Sequence, residues 1–229
     1  QIVGFLVDGT GSAGEYYDRI EIVSGVNGTN ITTSSDVLKR ISANADGDAV
    51  IDLGANNSIT LKGVDTADLL SKHIIVHTSY DNLIQGTKKG YNVSGNDTLV
   101  GTSANDRIQG SDDPFNSGSG DDRLIGGEGD DLLIGGKNSG SGFDIDTYVF
   151  GSNSGSDQIV GFLVDGTGSA GEYYDRIEIV SNINGTGIST SADVLSRITS
   201  NADGDAIIDL GGGNDISLKG VSVSDLENN

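Results

Sequence analysis

The stretch GGEGDDLLI, residues 126–134, decides how this chain reads. It follows the pattern Gly-Gly-x-Gly-x-Asp-x-Leu/Ile-x in full. SGSGDDRLI (117–125) and GTSANDRIQ (101–109) keep most of it, and NVSGNDTLV (92–100) keeps Gly95, Asp97 and Leu99. One insertion, around Asp112, Asp113 and Pro114, interrupts the series, and another precedes FDIDTYVF (143–150). SNSGSDQIV (152–160) then restores the phase. Glycines supply tight turns, including left-handed backbone that side chains oppose. The residues around each Leu or Ile make a very short strand with that side chain pointing inward. Units this small bury little alone, so successive turns stack and share one apolar column. The spacing predicts an all-β fold, a parallel β-roll or β-helix.

The aspartate at position six is expected to face outward at the turn. There, turns one coil apart can clamp an ion between carboxylate and backbone oxygens. Hard oxygen donors in a flexible cage favour Ca2+ over Mg2+, and the absence of Cys removes soft ligands. The candidate ligands are Asp97, Asp106, Asp122, Asp131, Asp146 and Asp157, with Asp215 of GGGNDISL (211–218) as a further one. Several Ca2+ ions are expected along the repeat.

Around this centre the chain is duplicated. Residues 1–24 return unchanged as 158–181, and the correspondence continues at a fixed offset to Leu69 and Leu226, with 53 of 69 aligned positions identical. Three regions follow: a β-rich copy A (1–70), a linking and repeat segment (71–157), and a β-rich copy B (158–229). Strands are expected over 2–7, 18–23, 48–53 and 58–64, and a short helix over 34–41 with its duplicate over 191–198. Ser58 stands opposite Asp215, so the copies need not act equally. His73 and His77 flank the strand-like IIV without a third ligand at useful spacing, and are expected to be exposed surface histidines rather than a zinc site.

Thirty-four carboxylates face thirteen Lys and Arg, a formal net charge of −21. Such a chain repels itself until cations neutralise it. That makes nucleic acid a poor partner and argues against an anionic membrane surface. No apolar run is long enough to span a bilayer, so no membrane insertion is expected. The first residues lack the basic start and apolar core of a signal peptide. No Gly-x-Ser-x-Gly or His-Glu-x-x-His is present, and no enzyme activity is expected.

The nonapeptides resemble the RTX calcium-binding repeats of secreted bacterial proteins. That resemblance implies type I export without a cleaved N-terminal signal, and folding on meeting external Ca2+. The short acidic chain with two near-identical modules is also similar to the rhizobial adhering proteins, the Rap agglutinins. This second resemblance implies a secreted calcium-dependent lectin that binds acidic exopolysaccharide or capsule at the bacterial cell surface, aiding agglutination and biofilm organisation. It also implies paired cadherin-like β-sandwiches, an alternative that the repeat phase disfavours. The duplicated AGEYYDRIEI offers the sugar contacts: Tyr16, Tyr17 and Arg19 in copy A, Tyr173, Tyr174 and Arg176 in copy B. A Tyr ring can stack on a sugar face, and Arg can pair with an acidic substituent. Two other readings stay open: a non-catalytic RTX segment of a type I-secreted enzyme, and a structural calcium-binding matrix protein.

Overall fold

The computed structural model describes residues 1–7, 9–11, 14–16, 18–86, 95–110, 120–136, 145–164, 166–168 and 171–227. It divides into two compact units, Gln1–Ser79 and Tyr80–Asn229, each mostly β.

The first unit runs β1 (Ile2–Val3), β2 (Gly9–Gly11), β3 (Gly14–Tyr16), β4 (Ile20–Val23), α1 (Ser34–Leu38), β5 (Ile41–Ala43), β6 (Ala49–Asp52), β7 (Ser58–Lys62) and β8 (Ile74–His77). Strands β5, β6 and β7 form an antiparallel meander, because Gly and Asn at 44–47 and 54–57 turn the chain sharply. β1 joins β7 in parallel, β2 pairs with β3, and β4 pairs in parallel with β8. Helix α1 exists because Thr33 caps it. The Thr33 hydroxyl accepts the Asp36 N–H at 3.2 Å while the Asp36 carboxylate accepts the Thr33 N–H at 3.1 Å. It stops after five residues, shorter than the expected span to Ile41, which instead opens β5. Ile20, Ile22, Ile31, Val37, Ile51, Leu61, Ile74 and Val76 form the core of this unit.

The histidine expectation is overturned here. His73 is fully buried and His77 is 9% exposed. The His73 ring accepts the Leu70 N–H at Nδ1, and its Nε2 meets the Val7 carbonyl at 2.8 Å. The ring serves as a core hydrogen-bonding group at the entrance to β8.

The second unit continues with β9 (Asn82–Gln85), β10 (Thr98–Val100), β11 (Asp106–Gln109), β12 (Arg123–Ile125), β13 (Leu132–Ile134), β14 (Thr147–Phe150) and β15 (Ser156–Val160). Copy B then contributes β16 (Gly166–Gly168), β17 (Gly171–Tyr173), β18 (Arg176–Ile179), α2 (Ser191–Leu195), β19 (Ile198–Ser200), β20 (Ala206–Gly211), β21 (Asn214–Lys219) and α3 (Val223–Glu227). Strands from β9 to β15 alternate between two sheets and pair in parallel within each, while β19, β20 and β21 add an antiparallel meander to the first. One is ordered β9-β11-β13-β15-β21-β20-β19, the other β10-β12-β14-β18. The pairing registers place Ile84, Ile108, Leu133, Ile159 and Leu218 in one row. Leu99, Leu124, Tyr148 and Ile177 form the other. Both rows feed one hydrophobic core. Each buried aliphatic there stabilises the stack by roughly 2 kcal/mol over exposure. No helix among the described residues is long and apolar enough to cross a membrane.

Candidate metal centre

Each repeat puts its aspartate two residues before the inward Leu or Ile. Parallel stacking therefore lines the aspartates up, one per coil, along each sheet. In the first column Asn82 donates to Asp106 Oδ1 at 2.6 Å, the Asp106 N–H to Asp131 Oδ1 at 2.8 Å, and the Asp131 N–H to Asp157 Oδ1 at 2.9 Å. In the second, the Asp97 N–H donates to Asp122 Oδ1 at 2.8 Å, the Asp122 N–H to Asp146 Oδ1 at 3.0 Å, and the Asp146 N–H to Asp175 Oδ1 at 3.0 Å. One oxygen of each carboxylate thus ties its own turn to the neighbouring coil. The expectation of outward-facing aspartates fails: Asp106, Asp122, Asp131, Asp146 and Asp157 are all 2% exposed or less. The inter-coil bond draws them inward.

The second oxygens of these carboxylates differ in their partners. Asp106 Oδ2 is met by the Thr102 N–H at 2.5 Å and hydroxyl at 3.0 Å. Asp175 Oδ2 accepts the Leu163 N–H at 2.9 Å. By contrast, Oδ2 of Asp131 is buried without a hydrogen-bond partner. Leaving such an acceptor unsatisfied costs on the order of 1–3 kcal/mol, more for a charge. Burial, helped by the negative charges of Asp106 and Asp130, pushes the Asp131 carboxyl up to about 7 against the pull of the Asp106 N–H. Burial pushes Asp157 up to about 8, opposed by the Asp131 N–H and by a hydrogen bond from the Ser154 side chain.

The glycines explain what the space is for. A Cβ on Gly126 would fall under 3 Å from Asp131 Oδ2, and one on Gly110 or Gly135 equally close to Asp122 or Asp146 Oδ2. Gly127, at φ +107°, lies so close to the Thr102 carbonyl of the adjacent coil that no side chain fits. The result is a cradle of carboxylate and backbone oxygens, with no nitrogen or sulfur donor among the described residues near it. No three His, Asp or Glu side chains converge on one point among the described residues, so backbone carbonyls must supply much of any coordination shell. Such a donor set fits a hard cation that tolerates irregular geometry, as Ca2+ does.

Six of the seven expected ligands fall in these two columns. Asp215 does not: it pairs with Ser156 rather than Asp157, one residue out of phase, and accepts the Ser156 hydroxyl at 3.1 Å. Burial raises its carboxyl pKa, with the Ser156 bond opposing. Asp175 and Asn82, not singled out from the sequence, complete the columns. Their signal is the recurring Asp/Asn-x-Leu/Ile spacing, as in Asp175-Arg-Ile177.

Of the sugar-contact candidates, Tyr17 and the side chains of Tyr16 and Tyr173 lie outside the described residues. Tyr174 is 44% exposed, and the Arg176 guanidinium lies over its ring at 5.7 Å from the centroid. Arg19 is half-buried.

Comparison with known proteins matches residues 91–113 and 110–141 to the RTX calcium-binding nonapeptide repeat family, whose model spans four copies. The chain carries this repeat region and binds several Ca2+ ions through it. No curated protein matches the chain. Among solved structures, it is similar to the extracellular lipase LipA from Serratia marcescens, at TM-score 0.36 and 19% identity, over 82% of this chain and 29% of that one. The chain therefore spans under a third of that lipase.

Proposed function

We propose that the chain is a secreted, non-catalytic lectin or adhesin whose binding surfaces are ordered by Ca2+ held along a parallel β-roll. Parallel pairing of alternate strands favours a roll over paired cadherin-like sandwiches. The buried carboxylates Asp122, Asp131, Asp146 and Asp157 are the main ligands, with Asp97 at the start of the second column and Asp106 between Asn82 and Asp131 in the first. The observation that carries the calcium assignment is the buried, hydrogen-bond-free oxygen of Asp131 opposite Gly126.

For the ligand, support comes from the exposed Tyr174–Arg176 pair. Its sequence occurs twice, which suits bivalent engagement of a polymer. An aromatic face beside a guanidinium fits a sugar ring bearing a carboxylate, so the partner is an acidic exopolysaccharide or capsule on a bacterial cell surface. Calcium reconciles this choice with the net charge of −21 by neutralising the columns. Titration of acidic exopolysaccharide with and without Ca2+ tests the reading. Saturable, Ca2+-dependent binding that falls severalfold in Tyr174→Ala supports it. Absence of saturable binding in excess Ca2+ removes the lectin assignment and leaves the calcium-binding repeat.

A further inference from the structure

The cradle beside Gly135 differs from its neighbours in one oxygen. Where a Cβ on Gly86 would stand, the nearest oxygens are Asp97 Oδ2 and the Gly110 carbonyl of the next coil. At Gly110 they are Asp122 Oδ2 and the Gly135 carbonyl, and at Gly101 they are Asp106 Oδ2 and the Gly126 carbonyl. Three coils thus repeat one donor pair, a carboxylate oxygen and a neutral peptide oxygen. At Gly135 the carboxylate oxygen is Asp146 Oδ2, but the neutral oxygen is the Tyr148 hydroxyl, 2.6 Å from that point.

The strand registers explain the exchange. Tyr148 occupies the inward row of β14, level with Leu124 of β12 and Ile177 of β18. A phenol is longer than either aliphatic, so its hydroxyl crosses the core to the edge of the opposite sheet. There the Gly135 N–H donates to it at 3.1 Å. The corresponding N–H groups of Gly86 and Gly110 donate instead to the Gln109 and Ile134 carbonyls of the adjacent coil. Tyr148 is fully buried, and its ring packs on that of Phe162 with centroids 5.9 Å apart. The hydroxyl is therefore held in place, with a lone pair to spare beyond the one that accepts the Gly135 N–H. A neutral hydroxyl oxygen is a hard donor, the kind that Ca2+ takes beside a carboxylate.

We propose that Tyr148 Oη is a ligand of the cation at Asp146, standing where the other coils use a glycine carbonyl. This rests on the reading of Asp146 as a calcium ligand. The same row carries Leu99, Leu124 and Ile177 on the other strands, so within it β14 alone brings a side-chain oxygen from the core.

The test is calorimetric Ca2+ titration of the full chain as wild type, Tyr148→Phe and Asp146→Asn. Phe keeps the ring packing and removes only the hydroxyl. Tyr148→Phe should weaken one class of site about tenfold or more and leave the others unchanged. Unchanged affinity, with stability lowered equally in EDTA and in Ca2+, overturns the proposal, because the hydroxyl would then serve the Gly135 N–H alone. Asp146→Asn separates the proposal from the reading beneath it. If Asp146→Asn loses a site while Tyr148→Phe binds as wild type, Asp146 remains a ligand and Tyr148 is not one. If Asp146→Asn itself titrates as wild type, the Asp146 reading falls and the proposal with it. A second measurement needs no variant: in the wild-type chain labelled at tyrosine 13Cζ, the Tyr148 resonance should move as Ca2+ is added and stop at saturation. A resonance that stays fixed through saturation also overturns the proposal.

Discussion

Replacing Asp131 with Asn should push calcium-free and calcium-loaded stability in opposite directions. Asn keeps an oxygen to accept the Asp106 N–H, an interaction of 2.8 Å in the wild type. It replaces Oδ2 with an amide that carries no charge and cannot ligate a cation. Without Ca2+, the Asp131 carboxyl sits at about 7 in the fold against an ordinary 3.8. Three units correspond to about 4 kcal/mol, an upper bound that relaxation around the charge lowers, so the ionised group costs the metal-free fold roughly 2–4 kcal/mol at neutral pH. The sign follows from the raised value: the penalty is absent below about pH 4, grows as pH rises toward 7, and is complete above it. Asp131→Asn removes that cost. For a unit of this size the gain corresponds to a melting temperature roughly 5–15 °C higher in EDTA at pH 7. In Ca2+ the same variant loses one site, a deficit of about 2.7 kcal/mol where free Ca2+ stands near 100 times the dissociation constant. Thermal melts followed by circular dichroism, in EDTA and in millimolar Ca2+, read both limbs. A variant destabilised equally in the two buffers would refute the reasoning, because Asp131 would then be a structural hydrogen-bonding group and nothing more.

Gly126→Ala should cut Ca2+ affinity and cost about 1–3 kcal/mol in Ca2+, because its Cβ meets Asp131 Oδ2 under 3 Å away. Gly151→Ala, whose Cβ meets nothing within 4 Å, is the neutral comparison, and calorimetric titration distinguishes them. The metal-free chain should lose stability between about pH 4 and 8 as Asp131 and Asp157 ionise, and Ca2+ should flatten that profile; urea unfolding across pH checks this. Lys219→Met should destabilise the second unit by about 3–5 kcal/mol with or without Ca2+, measured by denaturant unfolding. It strands the buried carboxylates of Asp205 and Asp203, now 2.7 and 3.5 Å from the ammonium.

The repeat spacing made the parallel stack legible, since Asp two residues before Leu or Ile fixes both which side chain is buried and which carboxylates align. It could not reveal that the aspartates turn inward, because the inter-coil bond to Oδ1 joins residues about 25 apart. Asp175 lacks the repeat's signal, since Tyr173 stands where the motif has Gly two residues before the aspartate, whereas GGGND copies the motif before Asp215 while its hairpin shifts the phase by one. The burial of the histidines is hidden from the sequence for a related reason. Their polarity suggests solvent, but Val7, distant in sequence, offers His73 a buried acceptor. The turns at Asp46–Asp48 and Asp203–Asp205 look like further cation sites, yet Lys62 and Lys219 supply the positive charge there.

That contrast leads to the most direct measurement, residue-resolved amide hydrogen exchange of the full chain with and without Ca2+. The amides of Asp106, Asp122, Asp131 and Asp146, each donating to a neighbouring coil's carboxylate, should gain strong protection when Ca2+ is added. Amides of the lysine-balanced meander, such as Ala49 and Gly63, should change little. Equal protection of the aspartate amides in EDTA and in Ca2+ would contradict the claim that calcium completes the two columns.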